Sequence, residues 1–158
     1  MIRPAEPRDV KEIANLIREL ADYEKLSDEV TFDIAELHDH LFGQRPYAEV
    51  LMAEHDETHA VVGFAFFFHN YSTFCGKPGI YLEDLFVRPQ YRGLGYGKAL
   101  LAALARLAIG RNCARLEWAV LNWNTPSIEF YKSLGARPQT EWTVYRLVDE
   151  PLEKLAKG

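Results

Sequence analysis

Three glycines at every second position form a turn-like stretch whose spacing is typical of anion binding. Gly93 and Gly95 lie between the apolar run "IYLEDLFV" and the helical run "GKALLAALARLA", and Gly97 is the first residue of that helical run. The first backbone N–H groups of a helix have no intrahelical acceptor, and with the helix dipole they favour phosphate. A glycine, having no Cβ, lets such a ligand approach the backbone. The stretch therefore predicts a phosphate-binding turn, although a flexible strand-to-helix turn would use the same glycines.

Two familiar phosphate loops do not fit these residues. A P-loop needs a glycine five positions before Gly97 and Ser or Thr after its lysine, but the chain has Arg92 and Ala99 there. The dinucleotide-binding fingerprint needs a glycine three positions after Gly95, where Lys98 stands. The pattern that remains is Arg92-x-x-Gly95-x-Gly97, which belongs to neither class.

Length and composition predict one globular domain over residues 1–158. The 158 residues are 48% hydrophobic and 13% aromatic, enough to build a buried core. The net charge of −5 argues against a nucleic-acid partner, because a phosphate-binding surface needs an excess of Lys and Arg. An acidic chain suits a cationic partner better.

The chain carries no segment typical of a membrane span or of a secreted scaffold. Its longest apolar run, Ala60 to Phe68, is too short to cross a bilayer, and the start "MIRPAEPRDV" has no apolar stretch. Cys75 and Cys113 are far apart and form no CxxC motif. We expect a soluble, unprocessed cytoplasmic protein that does not bind membranes.

Periodicity predicts the elements of the first half. Apolar residues at helical spacing in "PRDVKEIANLIRELADYEKL" and "DIAELHDHLFG" predict two helices, the second ending at Gly43. The runs "AEVLMAE" and "HAVVGFAFFFHNY", separated by "HDETH", predict two strands of a hairpin. "GIYLEDLFV" predicts a further strand over Gly79–Val87.

The second half alternates helices and strands. We predict a helix from about Gly95 to Ile109, a strand in "ARLEWAVL", and a helix in "TPSIEFYKSLGA" with Thr125 as its N-cap and Gly135 at its end. "TEWTVYRLV" predicts a last strand. The order of elements indicates a single α+β or α/β domain around a mixed sheet.

The combined motifs resemble one enzyme superfamily. Arg92-x-x-Gly95-x-Gly97 is similar to the pyrophosphate-binding signature of the GNAT N-acetyltransferases. "IRPAEPRDVKEIANLIRELADYEKL", "YLEDLFVRPQYRGLGYG" and "LNWNTPSIEFYKSLGA" resemble, in order and spacing, the spermidine/spermine and thialysine N-acetyltransferase branch. The resemblance implies a mixed, mostly antiparallel sheet flanked by helices. It also implies acetyl-CoA as cosubstrate, and a homodimer with contributions from the strand region after Gly135.

Acetyl transfer to an amine needs a base, and Glu83 is the candidate. A primary amine with a pKa near ~10.4 is protonated at neutral pH, so its proton must be removed directly or through water. Glu83 and Asp84 stand in an otherwise apolar strand, where alternation should place them on opposite faces. Both could be ordinary charges on a half-exposed strand, but the resemblance favours Glu83 on the substrate side.

The resemblance assigns the acid and the cofactor contacts. Tyr131, which spacing alone would leave as a core aromatic, matches the tyrosine that protonates the departing CoA thiolate. The backbone of Leu85, Phe86 and Val87 corresponds to the strand that pairs with the pantetheine arm. The remaining implied cofactor contacts, of which the last two could serve only as a helix cap, are Arg92, Gly93, Leu94, Gly95, Tyr96, Gly97, Lys98, Asn124 and Ser127.

The acceptor is narrowed only to a small primary amine, either a diamine or lysine-like. Tyr23 and Glu24 resemble amine-binding residues at the end of the first helix, although a solvated charge run would look alike. Trp142 could line the same cleft or pack in the last strand. Glu83 would also contact the amine.

Other readings of the sequence are weaker. "HDETH" imitates a zinc motif but lies in a predicted hairpin loop with Asp56 at the glutamate position, so no metal is expected. A CoA-binding sensor with little turnover is the main alternative, and the presence of both Glu83 and Tyr131 counts against it. Protein-lysine acetylation keeps the chemistry and changes the acceptor.

Overall fold

The first two helices form where the apolar spacing predicts them. The structure, a computed structural model, describes residues 1–158. Helix α1 spans Val10–Tyr23 and helix α2 spans Ile34–Phe42. The Asp33 side chain caps α2 by accepting a hydrogen bond from the Glu36 N–H, and the helix ends at Gly43 as predicted.

Five strands form one mixed sheet in the order β1-β2-β3-β4-β5. Neighbours β1 to β4 are antiparallel, and β5 runs parallel to β4, so the predicted hairpin and the mostly antiparallel sheet are confirmed. The strands span Ile2–Pro4, Glu49–Glu54, Val61–Ser72, Lys77–Val87 and Leu116–Trp118.

Helices cover both faces of this sheet. The apolar sides of α1 and α2 pack against β2, β3 and β4 in one cluster that includes Ile13, Leu16, Met52, Phe64 and Phe86. Helix α3, Tyr96–Gly110, packs on the other face. The predicted α+β class is therefore confirmed, with the core divided into two layers by the sheet.

The chain forms two compact units, residues Met1–Ala119 and Val120–Gly158. The second unit contains helix α4, Thr125–Ser133, and helix α5, Asp149–Ala156. The predicted cap of α4 is wrong by one residue. Asn124 is the N-cap, since its side-chain oxygen accepts a hydrogen bond from the Ser127 N–H at 3.4 Å, whereas Thr125 is already helical.

The predicted last strand is not formed. Residues 140–148 are a turn followed by irregular chain, and Trp142, Val144 and Tyr145 are 80%, 87% and 93% exposed. Alternation of apolar residues marks a segment suited to a sheet, but a strand exists only where a neighbour supplies the hydrogen bonds.

Helix α5 was not predicted from the sequence. Its start carries signals common at helix N-termini, namely Asp149 and Glu150 in the first turn, followed by Pro151.

None of the helices combines the length and apolar character needed to cross a bilayer.

Candidate functional site

The glycine turn follows β4 and leads directly into α3. Gly93 and Gly95 have φ values of +77° and +91°, in the left-handed region that favours glycine. Gly95 is the N-cap of α3, and its carbonyl accepts the hydrogen bond from the Ala99 N–H at 2.9 Å. The N–H groups of the first turn of α3 therefore point out of the helix end without an intrahelical acceptor.

Neither the backbone conformation nor the packing at position 97 requires a glycine. It lies in the first turn of α3, and a Cβ built on it would meet only Val87 Cγ2, at 4.0 Å. The fold would accept a side chain here, yet the chain leaves this space empty beside the free N–H groups. The residues of the turn thus fit a pyrophosphate group lying against the backbone.

Substitution of Gly97 by Ala separates folding from cofactor binding. Because Ala is better than Gly by about 1 kcal/mol inside a helix, we expect Gly97→Ala to preserve or raise Tm. The new methyl group occupies the space for the phosphate, so the KM for acetyl-CoA should rise by about tenfold or more. Thermal melts and initial rates measure both effects. Gly110→Ala, at the other end of α3 with nothing within 4 Å of its Cβ position, is the matched control.

Strand β4 has an open backbone edge beside this turn. Its pairing with β5 ends at Leu82 and Trp118, while its pairing with β3 continues to Val87. The Arg88 N–H donates to Val62 O at 2.8 Å, so by alternation the N–H groups of Leu85 and Val87 point away from β3. An extended chain could add to this edge as a further strand.

This geometry refines the predicted pantetheine contacts. Leu85 and Val87 offer N–H groups at the open edge, whereas the Phe86 N–H faces β3 and the Phe86 side chain is buried in the core. Phe86 can therefore contribute its ring and its position, but not a donor at the edge.

Arg92 is held at the junction of α1 and β4. Its Nε donates to Val87 O at 2.8 Å, and its guanidinium carbon lies 4.7 Å from the centre of the Tyr23 ring and 5.4 Å from that of Phe86. Stacking on two rings is favourable for a guanidinium. Because Arg92 is exposed and its Nη atoms bond no protein acceptor, they remain available to an anion at the glycine turn.

The position of α1 over β4 is fixed by a second arginine. Arg88, at the end of β4, forms ion pairs with Glu12 at 2.7 Å and with Glu19 at 3.0 Å. These contacts connect two turns of α1 to the sheet. They place the C-terminal end of α1, with Tyr23 and Glu24, near the open part of β4.

A bulge changes the expected arrangement of the two carboxylates. Asp84 is opposite Phe66 and Leu82 is opposite Phe67, so Glu83 is an extra residue without a partner in β3. The prediction that alternation places Glu83 and Asp84 on opposite faces is therefore wrong. At a bulge two residues oppose one, and both carboxylates lie beside Phe66 on the α1 side of the sheet.

The carboxylates differ in exposure and in their electrostatics. Glu83 is exposed, and Asp84 is half-buried without a hydrogen-bond donor. Burial, together with the negative charges of Glu83 and Glu24, raises the pKa of Asp84 to about 7. Burial also raises the pKa of Glu24 at the end of α1. The half-buried Asp84 therefore holds its proton far more readily than an ordinary aspartate, which its sequence position beside Glu83 did not reveal.

Four more of the predicted site residues lie in the second unit. Asn124 is buried and caps α4 by accepting a hydrogen bond from the Ser127 N–H, so both residues take part in the helix cap. Tyr131 is half-buried on α4, with its ring centre 5.7 Å from that of Phe130. Trp142 is exposed in the irregular segment.

Comparison with known proteins identifies the class of enzyme. The model of the acetyltransferase (GNAT) family matches residues 11–136. The chain belongs to this family and is an N-acetyltransferase. Members of the family normally use acetyl-CoA as cosubstrate.

The similar proteins extend over almost the whole chain. Thialysine N-epsilon-acetyltransferase of Bos taurus is 40% identical, with 99% of this chain and 96% of that protein covered. L-ornithine N5-acetyltransferase of Arabidopsis thaliana is 33% identical, with 99% and 87% covered. An integron cassette protein of V. cholerae has a solved structure that matches with a TM-score of 0.82 and 30% identity, covering 100% and 98% of the two chains. The resemblance seen in the motifs is therefore confirmed.

Proposed function

We propose that the protein transfers the acetyl group of acetyl-CoA to the primary amine of a small molecule by direct attack in a ternary complex. The observation that carries the proposal is the open edge of β4, which has the glycine turn at one end and two carboxylates at the other. An extended cosubstrate held along this edge would present its reactive end near Glu83 and Asp84.

Acetyl-CoA would supply the acetyl group as an activated thioester. The turn and the first turn of α3 would hold its pyrophosphate through backbone N–H groups, Arg92 and the exposed Lys98. The N–H groups of Leu85 and Val87 would bind its extended arm. The full set of proposed contacts is Leu85, Phe86, Val87, Arg92, Gly93, Leu94, Gly95, Tyr96, Gly97, Lys98, Asn124 and Ser127.

Glu83 and Asp84 would accept the proton of the amine. Glu83, which is exposed at the bulge, would contact the ammonium group directly or through water. Asp84 beside it has a pKa of about 7, so near neutral pH a large fraction is ionised and still basic enough to take a proton. We therefore assign the base to this pair, with Asp84 as the group that holds the proton.

Tyr131 would donate a proton to the departing thiolate. A phenol with a pKa of about 10 is a modestly matched acid for a thiolate whose conjugate acid is near ~8.5. The proposal thus predicts a contribution to the rate and not an absolute requirement.

The acceptor would be bound by acidic and aromatic side chains. Glu24 and Asp84 act electrostatically on each other across the α1 and β4 elements, which favours a cationic substrate between them. We propose Tyr23, Glu24, Glu83 and Trp142 as contacts of a diamine or lysine-like amine. The names of the two curated relatives fit this class, because each acts on the side-chain nitrogen of a diamino acid.

A homodimer is also proposed, with the segment after Gly135 at its interface. Exposed apolar side chains accumulate there, among them Trp142, Val144 and Tyr145, and such a patch is typical of a surface that a partner covers. A second copy of the chain is the partner that the family resemblance implies. We further propose a cytoplasmic location, where free thiols such as Cys75 and Cys113 persist.

The decisive test of the reaction is the release of CoA as free thiol in the presence of acetyl-CoA and different acceptors. The acceptors are spermidine, putrescine, thialysine, lysine, ornithine, a lysine peptide and none. Turnover with a small amine supports the proposal. Absence of turnover with every acceptor, while acetyl-CoA still raises Tm, would contradict it and favour a binding protein.

The acid is tested with Tyr131→Phe. We expect kcat to fall by about 10²-fold, the lower end of the range for general acid catalysis, with little change in the KM for acetyl-CoA. Tyr47→Phe, at a position 75% exposed in a loop, is the control and should keep the wild-type rate. An unchanged kcat in Tyr131→Phe would remove Tyr131 from the mechanism.

A further inference from the structure

A carboxylate on β5 lies on the same face of the sheet as the Glu83–Asp84 pair. Glu117 is opposite Tyr81 in the parallel pairing of β5 with β4, so the two side chains share a face. Burial raises the pKa of Tyr81, and the negative charges of Glu83 and Glu117 add to this rise. Both carboxylates therefore lie near Tyr81 on this face of the sheet.

The orientation of Glu117 is set by a contact that crosses three strands. Asn70 on β3 donates from Nδ2 to Glu117 Oε1 at 3.2 Å. To do so its side chain passes over Gly79 on β4, where any Cβ would collide with Asn70 Oδ1. The missing side chain at Gly79 is thus what allows Asn70 to hold Glu117.

Arg115 completes a pair of opposite charges. Its Nε lies 3.2 Å from the same Oε1 of Glu117, while Oε2 of Glu117 has no hydrogen bond. Arg115 is 50% exposed at its side chain, and Glu117 is 34% exposed. Both side chains can accordingly meet a ligand, one through a free carboxylate oxygen and the other through its guanidinium Nη atoms.

The pair lies at a suitable distance from the proposed base. Glu117 is one strand over and two residues along from Glu83, which gives about 8 Å between their Cα atoms from standard strand spacings. This separation is comparable to the distance between the side-chain amine nitrogen and the α-ammonium nitrogen of a short diamino acid. An ammonium group and a carboxylate on one carbon are complementary to Glu117 and Arg115 respectively.

We propose that Glu117 and Arg115 bind the α-ammonium and α-carboxylate groups of the acceptor, and so select an α,ω-diamino acid over a diamine. The inference rests on the proposed acetyl transfer and names the substrate class of that same site. Asn70 is a positioning residue, since it acts through Glu117. Neither Glu117 nor Arg115 takes part in the chemical step.

The test compares matched acceptors on matched variants. Ornithine and putrescine have the same chain and differ only in the carboxylate, as do lysine and cadaverine. We expect the wild-type enzyme to have a higher kcat/KM for each amino acid than for its decarboxylated partner. Loss of one charge-assisted hydrogen bond in Glu117→Gln should raise the KM for ornithine about tenfold at unchanged kcat.

Arg115→Gln gives the sharper result. It should raise the KM for ornithine about tenfold and leave the KM for putrescine within about twofold, which a purely structural role would not do. Glu57→Gln and Arg45→Gln, at exposed positions in other loops, are the controls. Equal effects of Arg115→Gln on both acceptors, or a wild-type preference for putrescine, would overturn the proposal.

A binding measurement separates this inference from the reaction itself. If no acceptor supports turnover, the proposed function fails. Calorimetric titration of ornithine into the protein saturated with CoA still tests whether Glu117 and Arg115 bind the amino acid. Binding that weakens about tenfold in both variants supports the inference. Absence of ornithine binding, or equal binding in wild type and variants, overturns it.

Discussion

Replacement of Asp84 by Asn is expected to lower kcat by about 10²-fold at pH 7 while raising Tm. The loss of rate follows because Asn cannot accept the proton of the amine, and removal of a positioned base costs about 10²–10⁴-fold. The gain in stability follows because Asp84 is half-buried beside two like charges without a hydrogen-bond donor. A neutral amide of the same shape avoids the cost of that buried charge.

The pH dependence of the two effects has a definite sign. The pKa of Asp84 is raised from 3.8 to about 7 on folding, so between these values the folded state binds a proton that the unfolded state has lost. This group therefore lowers stability as the pH rises from about 4 to about 7. Asp84→Asn should exceed the wild type in Tm most at pH 8 and match it near pH 4. The wild-type kcat should rise through pH 7, and the variant should lack that rise.

Glu83→Gln is the matched control for the base. If the pair acts together, Glu83→Gln lowers kcat and keeps a titration that moves to lower pH, because burial still raises the pKa of Asp84 while one of the two neighbouring negative charges is gone. If Asp84→Asn retains kcat within about threefold and the pH profile while Glu83→Gln loses activity, Glu83 alone is the base. Circular dichroism and thermal melts of both variants show that the fold is intact.

Replacement of Arg3 by Met is expected to destabilise the protein by about 3–5 kcal/mol, a large part of the ~5–15 kcal/mol typical of a domain. Arg3 binds Asp9 through both oxygens, at 2.8 and 2.9 Å, and binds Glu54 at 2.6 Å. Both carboxylate residues are buried, each with 7% exposure. Removal of the arginine leaves two buried negative charges without their partner. Urea denaturation measures the loss.

Acid and a compensating variant test this interpretation. The Arg3 guanidinium lowers the pKa of Asp9, so the stability from this contact is present above the ordinary Asp value near ~3.9 and is lost as the pH falls through the lowered one. In Arg3→Met the guanidinium that lowers the pKa of Asp9 is absent while burial still raises it, so Asp9 binds a proton more readily and the deficit should shrink from pH 7 to pH 5. Adding Asp9→Asn and Glu54→Gln should restore part of the stability. A deficit below 1 kcal/mol at pH 7 would contradict the account.

Local periodicity predicted most of the fold but not its last strand. The helices over 10–23 and 34–42 and the hairpin of β2 and β3 carry their own signals, because each buries an apolar face set by its repeat. The segment 140–148 has the same kind of alternation but is irregular, since hydrogen-bonding partners come from outside the segment. Strand pairing depends on two segments, whereas the alternation of apolar residues describes only the segment that carries it.

The parts of the candidate site that form a local sequence pattern could be predicted. The parts whose properties depend on residues distant in sequence could not. The glycine turn and Arg92 form a local pattern, and the structure places them together at the start of α3. The environment of Asp84 comes from Glu24 on α1 and from a bulge in β4, which no local pattern records. Glu117 was passed over for the same reason, because Asn70 and Gly79 that orient it are distant in sequence.

The bulge at Glu83 also acts as a phase shift along β4. Before it, Tyr81 belongs to the α1 face, and after it the same face is occupied by Asp84 and Phe86, so odd and even positions exchange sides. One extra residue thereby joins two halves of the strand, the first paired with β5 and the second with an open edge on that side. Without Glu83, Leu82 would remain opposite Phe67 and Asp84 opposite Phe66 in an unbroken ladder, so the extra residue adds a second carboxylate beside Phe66 without turning any core residue outward.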